Sequence, residues 1–134
     1  MIDYLNEIFT AVATRLRDKH LGITVTGEYT RMPSKFPAVT LDEIENVTVD
    51  RLEDSSVAEK FSGLTYRLQV FSNKQSGKKA EARAIFATAD SVMRSLGFRR
   101  VTYSTTPEIY ESTIYSITAT YEAIAGAGGV MYKR

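Results

Sequence analysis

Asp42, Glu43 and Glu45 come nearest, by type and spacing, to a reactive site. Carboxylates this close can hold Mg²⁺ or Ca²⁺ through oxygen ligands, and a bound metal can activate water for hydrolysis. The flanking sequence lacks the D-x-[DN]-x-[DN]-G pattern of an EF-hand and has no H-E-x-x-H pairing. A solvated rim where a strand leaves the sheet is the competing expectation. A small metal-dependent hydrolase is the lesser alternative that these acids leave open. The only histidine, His20, falls at an expected helix end, where it suits the helix dipole. A general base needs an orienting partner and a nucleophile in reach. Ser55 and Ser56 have no G-x-S-x-G turn around them. Gly126, Gly128 and Gly129 are followed by no expected helix, so a phosphate would find no helix N-terminus there. The chain has no cysteine, which excludes disulfides, thiolate nucleophiles and Cys-ligated zinc. No catalytic, cofactor or metal set emerges, and the expectation is a structural protein rather than an enzyme.

Charge is the richer signal. Residues 44–61 carry Glu45, Asp50, Glu53, Asp54 and Glu59 against Arg51 and Lys60, a net charge of −3. They are expected to form a long acidic loop between two strands, and loops beyond about 12–15 residues are usually functional or disordered. Lys78, Lys79 and Arg83 cluster at the start of an expected helix, and Arg99 with Arg100 opens the next strand. The net charge of +1 argues against a dedicated nucleic-acid binder. Its distribution is uneven: residues 1–60 hold 7 Lys/Arg and 11 Asp/Glu, while residues 61–134 hold 10 and 5. Two patches of opposite sign on one subunit favour head-to-tail self-association, which closes into a ring when the rotation allows. Tyr132, in a glycine-rich stretch, is a candidate anchor for a partner's pocket.

The elements that must position these residues follow from periodicity. Ile2, Leu5, Ile8, Phe9, Val12 and Leu16 define one helical stripe. Asp3 is the expected N-cap and Gly22 the expected stop. Strands are expected over 23–29, 36–42 and 63–73, with Gly27 marking a bulge and Pro37 confined to a strand start or edge. Ser76 is expected to cap a second helix, whose buried face is Ala82, Ile85, Phe86, Ala89, Val92, Met93 and Leu96. Gly97 is expected to end that helix. Two more strands, near 98–104 and 113–124, complete the order α-β-β-β-α-β-β. That order implies an α+β fold, a mostly antiparallel sheet packed against two helices. Length (134 residues) and 43% hydrophobic content fit a single domain over 1–125. Residues 126–134 are expected to be a flexible tail. No segment reads as a signal peptide or a membrane span.

As an ordered set, these segments resemble the tail-terminator or tail-completion proteins of long-tailed bacteriophages, a group that includes minor capsid and head-tail joining proteins. The residues that carry the resemblance are KFPAVTLDE at 35–43, EKFSGLTYRLQVFSNKQSGKKAEARAI at 59–85, LGFRR at 96–100 and IYSITATYEA at 114–123. The resemblance implies a virion protein assembled in the host cytoplasm, a ring, typically sixfold, at the head-proximal end of the tail tube. Its implied partners are other copies of itself, the major tail tube protein and the head connector, with DNA only passing through the lumen. It implies no cofactor, no catalytic residues and no membrane. A head-completion protein one layer higher is the nearest alternative.

Overall fold

The computed structural model describes residues 3–48, 61–106, 113–126 and 131–133. Helix α1 (Leu5–Lys19) forms on the expected stripe and buries Ile8, Val12, Ala13 and Leu16. Tyr4, not the expected Asp3, occupies its N-cap position; Asp3, one residue earlier, accepts the Leu5 N–H through Oδ1 at 3.1 Å. Gly22, at φ +79°, turns the chain after the helix in a conformation that side chains resist. Strand β1 (Thr24–Thr26) is shorter than expected. It pairs, in parallel, only with residues 38–40 of the next strand, and Gly27 ends it rather than bulging it.

Strand β2 (Ala38–Thr48) starts two residues later than expected, just after Pro37, and runs six residues further. Residues 44–48, expected in the acidic loop, are strand. They pair with β3 (Phe61–Ser72) down to Thr48 opposite Ser62. Backbone hydrogen bonding holds this stretch although Ile44 and Val47 are exposed and Glu45, Asn46 and Thr48 are polar. Ile44 is the extra residue of a β-bulge between Glu43 and Glu45. Phe61, the expected loop's last residue, is likewise strand, the first of β3; residues 49–60 of that loop lie outside the described residues.

Helix α2 (Lys78–Ser95) buries Ala82, Ile85, Phe86, Ala89 and Met93. Ser76 does not cap it; Gly77, at φ +90°, occupies the N-cap position and no side chain bonds there. At the other end Gly97 (φ +100°) donates to Arg94 O and Phe98 to Met93 O, the paired bonds of a Schellman stop. That turn delivers Phe98 into the core and starts β4 (Arg99–Thr106). Strand β5 (Tyr115–Gly126) follows, and β6 (Met131–Lys133) returns antiparallel to it. Residues 131–133 are therefore sheet, where a free tail was expected: the backbone finds partners on β5, and pairing outweighs the flexibility of the glycines before it.

The sheet order is β1-β2-β3-β5-β4, antiparallel except for β1 with β2. β3 lines one edge of β5 from Tyr115 to Gly126. β4 takes the other edge as far as Glu122, and β6 continues there from Ala123. Both helices share one core with the sheet. Leu64, Tyr66, Leu68 and Val70 of β3 face it, beside Ile117, Ala119, Tyr121 and Ala123 of β5. Leu64 pairs with Ala123 and Leu68 with Ala119, so a large residue stands beside a small one and the helices can pack close. Each fully buried Leu or Val contributes about 1.5–3 kcal/mol of transfer free energy.

Candidate interaction surfaces

The three carboxylates do not converge. Successive strand residues point to opposite faces, and that alternation separates Asp42 from Glu43. Asp42 lies on the face away from the helices, where both its oxygens accept from Arg67, at 3.3 Å from Nε and 2.7 Å from Nη2. Glu43 points to the helix side and accepts the Tyr66 hydroxyl at 3.0 Å. The bulge at Ile44 returns Glu45 to the open face, exposed. Among the described residues no group of three or more His, Asp or Glu is placed to hold a metal ion.

Two buried tyrosines sit side by side, Tyr66 of β3 opposite Tyr121 of β5. Burial, then the negative Glu43, pushes the Tyr66 phenol pKa up. Burial, then the hydrogen bond to Asp90, does the same for Tyr121. Both are donors. The Tyr121 hydroxyl donates to Asp90 Oδ1 at 2.6 Å, and Arg100 Nη1 donates to the same oxygen at 3.0 Å. Arg94 Nε binds Asp90 Oδ2 at 3.0 Å. Asp90 thus ties α2 to β4 and β5. His20 is a second tie. Thr88 donates its hydroxyl to the Ala84 carbonyl (3.2 Å), so His20 Nε2 is the donor in its 3.0 Å contact with Thr88 Oγ1. Burial, then Lys19, lowers the His20 pKa, which keeps the ring neutral near pH 7.

The five cations form two groups rather than one patch. Lys78, Lys79 and Arg83 lie at the N-terminal end of α2, and Arg99 and Arg100 follow its far end. Eighteen helical residues span about 27 Å. Lys79 and Arg83 are exposed. Arg99 and Arg100 then diverge. Arg100 turns to the helix side and Asp90; Arg99 stays on the open face, 3.6 Å from Glu122 and about half exposed. Of the acidic set only Glu45 is described; Asp50, Arg51, Glu53, Asp54 and Glu59 lie outside the described residues. The backbone of Tyr132 stands in β6 opposite Ile124.

Two features escaped the sequence. The connection over residues 27–37 reaches across the open face, where the Tyr29 ring stacks on the Arg67 guanidinium at 4.2 Å. A cavity of about 360 Å³ lies between it and β1–β2, lined in part by Thr24, Thr26, Tyr29, Met32, Lys35 and Thr40. Beneath it, buried Thr40 donates to Gln69 at 2.7 Å. Asp90 was the other, and its only local signal was the i,i+4 spacing to Arg94. Compared with known proteins, the chain matches no family model and no curated protein.

Proposed function

We propose that this chain is a structural virion subunit of a long-tailed phage, a tail terminator. Copies form a ring on the head-proximal end of the tail tube, end polymerisation of the major tail protein and present the surface that docks the head connector. DNA passes through the lumen. What carries this proposal is the placement of the ordered motif set. Its described residues fall mostly on β2, β3, α2, β4 and β5, elements of one α+β body. A head-to-tail ring also needs two different complementary patches on each subunit. The separation of free acids and bases over this surface is compatible with that need.

The test is sedimentation of the purified protein over a concentration series, with negative-stain microscopy of the protein alone and mixed with isolated tail tubes. Rings, or caps on tube ends, are expected. A monomer at every concentration that leaves tube ends bare would sink the proposal.

A further inference from the structure

The sheet ends in two edges of opposite character. On one side β4 pairs only with β5 among the described residues. On the other, β1 covers only residues 38–40 of β2, and no described strand lies beside residues 41–48 there. Both edges expose large apolar side chains, Ile44 and Val47 on β2 and Val101 and Tyr103 on β4. The cross-strand register links the edges: Glu45 faces Thr65, Thr65 faces Glu122, and Glu122 faces Arg99. One row of the sheet therefore begins at an exposed glutamate and ends at an arginine whose side chain is 54% exposed, both on the open face. Glu45 has no ion-pair partner among the described residues. The adjoining row runs Glu43, Tyr66, Tyr121, Arg100.

The geometry points to these two edges as the two halves of one seam: the β4 edge of one copy seats on the free β2 edge of the next. Strand directions suit it. β2 and β5 run one way, β3 and β4 the other. Copies related by rotation about an axis along the strands bring β4 beside β2 antiparallel, the more stable pairing. With no slip along the strands, row meets row and Arg99 arrives opposite the neighbour's Glu45. Val101 and Ile44, the extra residues of the two bulges, come to nearly the same level. β1 fills the slot beside residues 38–40, so the seam joins residues 41–45 of one copy to 99–103 of the other. The bulges and charges blunt each edge against indiscriminate pairing. Two β2 edges would set carboxylate against carboxylate, and two β4 edges arginine against arginine. Only the unlike pairing is favoured, which selects a rotating, ring-forming contact over a twofold dimer.

This seam deepens the ring assembly proposed above and rests on it for self-association. Its test is sedimentation of the full chain as wild type, Arg99→Glu, Glu45→Arg, the double variant, and an equal mixture of the two single variants. Each single variant is expected to raise the concentration for half-assembly about tenfold or more, from like-charge contacts. The double variant and the mixture are expected to assemble as wild type does, because every contact again joins unlike charges. Thermal midpoints report folding. If a reversal unfolds the chain, Glu45→Gln and Arg99→Gln give the same comparison with smaller loss. Single variants that assemble as well as wild type, or a double variant that stays impaired, overturn the seam while the ring stands. A wild type that never assembles overturns both.

Discussion

At the residue scale, the polar groups that matter are tied into the packing. Asp90, which the sequence did not single out, shows this best. Its carboxylate takes one phenol and two guanidinium groups at 15% exposure. Asp90→Ala leaves the buried Tyr121 hydroxyl without its acceptor and is expected to lower stability by about 2–3 kcal/mol. Urea denaturation checks this through a lower midpoint at unchanged slope; a loss within about 0.5 kcal/mol would show that the hub holds nothing. His20 supports a pH prediction. Its folded pKa lies below the ordinary 6.5, so the unfolded chain takes up a proton first as pH falls. Its contribution is fully present above pH 6.5, declines as pH drops from there to the folded pKa, and is then constant. His20→Gln is expected to flatten that part of the stability profile, and an unchanged slope would contradict the assignment. The tyrosines, the lone histidine and the mid-helix aspartate were visible in the chain, but nothing local said which would meet. Asp90 and Tyr121 are 31 positions apart.

At the element scale, periodicity located both helices and the central strands because apolar side chains face one shared core. It failed where backbone pairing alone decides. β2 continues to Thr48, through residues that bury no apolar face, because β3 is there to bond it. β6 forms after a glycine run because β5 has a vacant edge beyond Glu122. The connection over 27–37 was also illegible, since its anchor is a distant strand residue. Tyr29 reaches Arg67, which Asp42 holds flat on the sheet. Tyr29→Ala removes the stack while leaving the core intact. It is expected to speed tryptic cleavage after Arg31 and Lys35 several-fold with the thermal midpoint nearly unchanged. Equal cleavage rates would show that the stack does not hold the connection down.

At the scale of the whole molecule, charge that reads as two blocks along the chain is redistributed by folding. Arg67 neutralises Asp42, and Arg100 and Arg94 neutralise Asp90. Lys79 and Arg83 remain exposed at one end of α2, and Arg99 at the far edge of the sheet. An acidic segment at 49–60 that meets a neighbouring copy would affect assembly and not folding. Reversing Asp50, Glu53 and Asp54 to Lys is expected to leave the denaturation midpoint nearly unchanged and to impair ring formation or tail-length control. Normal rings and normal tails from that variant would remove the segment from the interface.

The sequence by itself determined the α+β class, the two helices and the alternating faces of β3 and β5, because burial of apolar side chains is written in local spacing. Only the tertiary structure decided that Asp42 and Glu43 part to opposite faces, that the five cations divide, that residues 44–48 and 131–133 join the sheet, and that Glu45 and Arg99 end the same row. Those outcomes depend on strand register and on which strand finds which edge. Both are set by pairing between distant segments, which no local pattern records.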